Sequence, residues 1–245
     1  RVLATPITRD QIQGVYAGLR PLLAGEDDES TSKLSREHVV AQVAPGLVLV
    51  AGGKWTTYRI MARDAVNAAV EQLTAQTGVP VSQSITEHIP LLGATGFDHV
   101  WQIRDALADR ADISRAHIEL MLRRYGSETE YLVDLMEGDP ALSTPLPGAR
   151  EHLAVEAMFA ASHESVQHLD DVLVRRMRVS FESADRGVAA APVVAELIAP
   201  ILGWDAQRRD AEVASYLARV EAEHESNSLP DDVSAERARL DVPPS

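Results

Sequence analysis

The sequence predicts a mixed α+β chain, with short strands and one long helix in its first third and an all-α domain after it. Three observations carry this. Up to residue 54, short β-branched runs alternate with turn residues; at Trp55 the apolar period lengthens from two to three and four; beyond residue 96 helical spacing continues with short connections. Aromatic residues are only 4% of the chain, and abundant Ala, Leu and Val favour closely packed helices over a large sandwich of sheets.

Taken in order, residues 1–4 read as a strand, Thr8 as the cap of a short helix over 9–13, and the stretch YAGLRPLL within 15–23 as a second strand. Residues 25–34, GEDDESTSKL, form a polar loop. Residues 35–43 and 47–51 read as strands joined by a Pro45-Gly46 turn. From Trp55 a helix follows, because Tyr58, Met61, Ala62, Ala65, Val66, Ala69, Val70 and Leu73 share one face; it ends near Gly78-Val79-Pro80. Helices are then expected at 98–108, 114–124, 127–136, 150–162, 169–179, 192–202 and 206–222, with Gly203 stopping one and Asp205 capping the next. This gives domains at 1–92 and 93–224, and a tail over 225–245. From Glu221 onward seven acidic residues stand against two arginines with no sustained apolar face, so the tail is expected to be disordered.

With 45% hydrophobic content, 245 residues suffice for one good core or two modest ones. A formal charge of −14 argues against nucleic acid and against attraction of the whole protein to an anionic membrane, so any anion site must be local. The absence of cysteine excludes disulfides, thiolate zinc sites and cysteine nucleophiles, and favours a reducing compartment. The apolar stretch 187–204 is interrupted by Pro192, Glu196 and Pro200 and reads as a buried helix. No HExxH, GxSxG or Walker loop occurs, and no metal site is expected. Arg175, Arg176 and Arg178 make a basic patch, read as a helical salt network or a domain interface.

The chemistry concentrates in GGKWTTYR, residues 52–59, where an apolar strand gives way to a helix. The first turn of a helix presents unpaired N–H groups and a partial positive charge. Gly52 and Gly53 let a flat or anionic group approach the backbone without a Cβ in the way. Thr56 or Thr57 can cap the helix or bond the visitor, and Lys54 adds a full charge. A glycine turn with a threonine cap and a solvated lysine is the competing structural reading. Arg20, between apolar neighbours before Pro21, requires an anionic partner if strand alternation turns it inward; Arg36 by itself reads as a surface residue.

The order GVYAGLRPLL, LSREHVV, GLVLVAGGKWTTYRIMARDAV resembles the flavin-dependent glycerol-3-phosphate dehydrogenases, whose motifs run G-[LV]-R-P, S-R-[DE]-H or T-R-D-Y, and G-G-K-x-T-T-Y-R. HLDDVLVRRMRVSF and APILGWDAQRRDAEVASYLARVE are similar to that family's C-terminal helical domain, with His168 and Met177 departing from its usual threonines as packing changes. The resemblance implies that residues 1–92 close an FAD-binding α/β domain. It makes Arg20, Arg36 and Lys54 the substrate-site cations, with Arg20 and Lys54 at the reacting end, and brings Gly52, Gly53, Thr56 and Thr57 to the flavin. The implied reaction oxidises glycerol 3-phosphate to dihydroxyacetone phosphate, with hydride passing to FAD and electrons to a quinone. The implied setting is cytoplasmic, with peripheral contact on the inner face of the cell membrane, and a homodimer is one assembly it allows. None of the 14 glycines forms the family's GxGxxG, and its base histidine and a further arginine have no counterpart here, so the chain is expected to be a C-terminal fragment, inactive alone. Two alternatives remain beside it: a non-catalytic helical interaction module, and another flavin oxidoreductase of the same fold.

Overall fold

The computed structural model describes Thr8 and residues 37–242. The strands expected at 1–4 and 15–23, the helix at 9–13, the loop at 25–34, and with them Arg20 and Arg36, lie outside the described residues. Two compact units form, the first ending at Leu91 and the second beginning at Leu92.

In the first unit β1 (His38–Ala44) and β2 (Leu47–Gly52) pair antiparallel, with His38 opposite Gly52 and Val40 opposite Val50. Gly46, at φ 79°, supplies the left-handed residue of the connecting turn. A 3₁₀ turn, Trp55–Thr57, leads into α1 (Tyr58–Thr77), which ends at Gly78 in the left-handed conformation, φ 70°, with its N–H on the Thr74 carbonyl. Polar side chains of α1 hold the neighbouring chain. Gln72 Oε1 accepts from Gly46 N–H at 2.9 Å, Asn67 Oδ1 accepts from Ser84 N–H at 2.8 Å, and the Arg59 guanidinium donates to the carbonyls of Thr86 and Ile89. These ties turn the helix away from the face its apolar period suggests: Met61, Ala65 and Val70 are half-buried, but Ala62, Val66, Ala69 and Leu73 face solvent. No residue of 37–91 is fully buried.

The second unit holds the apolar core. Its helices are α2 (Phe97–Gln102), α3 (Arg104–Ala111), α4 (Arg115–Tyr125), α5 (Thr129–Gly138), α6 (Ala154–His163), α7 (Val179–Glu182), α8 (Ala191–Leu202), α9 (Ala206–Ser228) and α10 (Asp232–Leu240). Leu107, Ile118, Leu132, Leu153, Leu169, Leu173 and Ile198 are wholly inaccessible to solvent. Each such side chain contributes about 1.5–3 kcal/mol by leaving water. Ser114 caps α4 and Asp205 caps α9 through backbone N–H groups three residues on, and Gly203 ends α8 at φ 68°. The proline-flanked stretch is therefore a globular helix; among the described residues no helix is long and apolar enough to cross a membrane.

Four local expectations change. The helix expected over 98–108 breaks at Ile103 into α2 and α3. Residues 150–153 are not helical, because β3 (Pro145–Leu146) and β4 (Ala149–Leu153) form a small antiparallel hairpin around Gly148 before α6 begins. The segment expected as a helix over 169–179 is a widened π-helical turn, Asp171–Arg176, in which Arg175 pairs with Asp171 at 3.0 Å and Arg176 donates to the Glu164 carbonyl. Over its described residues, 225–242, the expected disordered tail carries the end of α9 and the whole of α10 instead. Tyr216, Val220, Ala222 and Ser226 are buried along α9, Asp231 caps α10, and Arg239 Nε donates to Ser226 Oγ at 3.0 Å. Buried positions two, four and six apart sustain the helix where net charge alone argues against one.

Interlocked glycines open the helical unit. Gly93 (φ 80°) and Gly126 (φ 61°) press their backbones together, and Ser127 N–H donates to the Gly93 carbonyl at 2.8 Å. A Cβ on Gly126 would stand 2.1 Å from the Gly93 oxygen, and one on Gly93 would stand 2.3 Å from the Tyr125 oxygen.

Candidate functional site

Leaving β2, the chain passes through two successive left-handed residues, Gly52 at φ 75° and Gly53 at φ 79°, a conformation a side chain resists. Gly53 N–H reaches back to the Glu37 carbonyl at 3.2 Å, and Lys54 returns to extended backbone at φ −139°. The turn is thus closed against β1 on one side and delivered to the start of α1 on the other. Gly53 also packs internally, since a Cβ there would meet Met61 Sδ at 2.4 Å and the His38 Cβ at 3.2 Å.

The structure brings Gly52, Gly53, Lys54, Thr56 and Thr57 into one turn. Lys54 is exposed and makes no ion pair or hydrogen bond through its side chain among the described residues. Neither Lys54 nor Thr57 caps its helix by a side chain. Instead Thr57 donates through both its N–H and its hydroxyl to the Lys54 carbonyl, each at 3.0 Å, which leaves that hydroxyl free only to accept. The N–H groups of Trp55 and Thr56 open the first turn with no acceptor among the described residues. Trp55, 85% exposed, stacks on Tyr58 with ring centroids 5.4 Å apart. An exposed cation beside free first-turn N–H groups attracts an anion or the electron-rich edge of a ring.

Under this turn lies a pair that reading the sequence misses. His38 Nε2 is 2.9 Å from Asp64 Oδ2, and Arg63 Nε donates to the other carboxylate oxygen at 3.0 Å. Those bonds, from His38 first and Arg63 second, hold the Asp64 carboxyl below the usual aspartate range. His38 and Asp64 are 26 residues apart, and only the closing of α1 onto β1 joins them.

Two buried carboxylates organise the helical unit. Glu156, fully buried, accepts from Leu153 N–H at 2.8 Å, from the Tyr125 hydroxyl at 3.0 Å and from Arg124 Nη1 at 3.1 Å. Burial works against its charge, yet His152 and Arg124 keep it below the usual glutamate range. Glu212 accepts from Leu169 N–H and from His168 Nδ1, both at 3.0 Å, and pairs with Arg208. His168 is therefore part of a polar clasp rather than a packing change, whereas Met177 is 3% exposed within the core. No group of His, Asp or Glu suited to a metal ion occurs among the described residues.

A family profile described as the C-terminal domain of alpha-glycerophosphate oxidase matches residues 84–209. The chain is 50% identical over 242 residues to glycerol-3-phosphate dehydrogenase 2 of Mycobacterium tuberculosis strain H37Rv, covering 99% of this chain and 40% of that protein. It is 49% identical to the glycerol-3-phosphate dehydrogenase of Mycobacterium leprae over the same shares. A mitochondrial glycerol-3-phosphate dehydrogenase of Arabidopsis thaliana is 28% identical over 84% of this chain and 34% of its own. The chain thus spans about 40% of the length of the mycobacterial relatives it matches.

Proposed function

We infer, for a chain that belongs to the family of the C-terminal domain of alpha-glycerophosphate oxidase, that the whole protein oxidises sn-glycerol 3-phosphate to dihydroxyacetone phosphate with FAD as cofactor and a quinone as electron acceptor. The observation that carries this reading is the Gly52-Gly53-Lys54 turn, where an exposed lysine, two positive-φ glycines and an open first helical turn coincide.

These residues fit a flavin. Glycines without side chains permit close approach, and the free N–H groups of Trp55 and Thr56 suit an edge that gains negative charge. Gly52, Gly53, Thr56 and Thr57 would hold that edge, and the flavin, when bound, supplies the hydride acceptor. Lys54 holds substrate over the turn by its charge. Arg20 and Arg36 complete the grip on the phosphate, whose oxygens match the planar donors of a guanidinium. Three cations favour a phosphorylated alcohol over an amine, which they would repel. Any membrane contact in this reading is peripheral.

The test uses the complete protein. Its visible spectrum should show bound flavin that bleaches anaerobically with glycerol 3-phosphate. Arg36→Ala should weaken glycerol 3-phosphate far more than glycerol. A colourless protein, or equal losses for the two substrates, would refute the cofactor or the phosphate contact respectively.

A further inference from the structure

We propose that His38 is a positioning residue for the substrate-holding turn, acting through Asp64 to fix where Lys54 stands; this rests on the function proposed above. Two left-handed glycines in succession make the segment between β2 and α1 easy to reorient, and Lys54 follows it directly. A lysine that is to hold a phosphate needs this freedom removed beforehand, because freedom lost on binding is subtracted from affinity. Among the described residues the internal groups found against the turn that can do this are few. Met61 is a flexible thioether, and the Gly53 N–H to Glu37 carbonyl bond is long at 3.2 Å.

His38 is differently placed. It stands opposite Gly52 in the hairpin register, its Cβ abuts the position that a Gly53 Cβ would occupy, and its side chain is 20% exposed. Its Nε2 meets Asp64 in the second turn of α1, and Asp64 is held from its other oxygen by Arg63. Among the described residues this is the side-chain hydrogen bond that joins β1 to α1. His38 therefore pairs through its backbone with the last residue of β2, comes by its Cβ beside Gly53, and reaches α1 with its imidazole. His38 thus braces the segment that carries Lys54.

Steady-state kinetics and calorimetric binding of glycerol 3-phosphate to the complete enzyme test this, with His38→Ala, His38→Gln, Asp64→Ala and the double alanine variant. His38→Ala is expected to raise both KM and Kd roughly five- to tenfold, the net weight of one ordinary hydrogen bond, with a smaller change in kcat. His38→Gln, whose amide nitrogen reaches the place of Nε2, is expected to recover most of the binding. The double variant should be no weaker than either single one, because both break the same link. Unaltered KM and Kd in His38→Ala overturn the inference. So does equal loss in the Ala and Gln variants that follows their thermal stability, which is the mark of a merely structural residue. A wild-type enzyme that neither binds nor oxidises glycerol 3-phosphate overturns the functional reading and this inference together, whereas an active wild type beside an unaffected His38→Ala overturns the inference alone.

Discussion

Replacing Gly126 by alanine is expected to cost the helical unit about 3 kcal/mol, and the structure shows where this comes from. At φ 61° and ψ −135°, Gly126 occupies a region that only glycine enters freely, and holding an L-residue there costs roughly 1–3 kcal/mol. The added Cβ would stand 2.1 Å from the Gly93 oxygen and 2.7 Å from its carbonyl carbon, both backbone atoms that cannot step aside by rotating. Relieving that overlap means parting the two segments, typically about 1–3 kcal/mol, and stretching the Ser127 N–H bond to the same oxygen. The stiffer unfolded chain returns about 0.4–1 kcal/mol. Gly96→Ala is the control: it shares a positive φ of 79° but has nothing within 4 Å of a new Cβ. Thermal unfolding followed by far-ultraviolet circular dichroism should place Gly126→Ala well below Gly96→Ala, by several degrees at roughly 2–4 °C per kcal/mol. Coincident midpoints for the two variants would refute the clash and the interlock behind it.

Two further outcomes follow. Gly53→Ala should destabilise the first unit by about 1–2 kcal/mol through its left-handed φ, and adding Met61→Ala should relieve the sulfur contact but not that strain; amide exchange across β1 and β2 reads both, and full recovery in the double variant would contradict it. Glu156→Gln should lower stability at neutral pH by roughly 3 kcal/mol, since it leaves Arg124 without its buried counter-charge. Because the folded carboxyl titrates below its ordinary value of 4.5, its contribution is complete above that pH and fades as pH falls through the folded value, so the gap between wild type and variant should close in acid. A gap that stays constant down to the acid limit would show that Glu156 is not held ionised.

What could be read ahead of the structure was local chemistry. The start of α1 at GGKWTT, its glycine end at Gly78, the Asp205 cap and the Gly203 stop are each announced by residues adjacent to the event they cause. The last turns of α9, beyond residue 222, were hidden, because the buried Ser226 stands among charged and polar residues that dominate the composition there. The β3–β4 hairpin was hidden for another reason: five residues of β4 run directly into α6, and a short apolar run does not distinguish strand from helix. At the candidate site the glycines and Lys54 announce themselves by spacing. His38 and Asp64 cannot, since nothing in the residues between them states that helix and strand will meet.

The first unit is assembled from tethers, with Gln72, Asn67, Arg59 and Asp64 each binding a neighbouring segment and no side chain of 37–91 shut away from water. Chilling and guanidinium should therefore sort the two halves of this chain differently. Cold weakens the oily packing on which the helical unit depends, while a competing cation solvates the carboxylates and peptide groups that fasten the first unit. In a titration with guanidinium chloride the lysine-bearing bend is expected to come loose while the helices still stand.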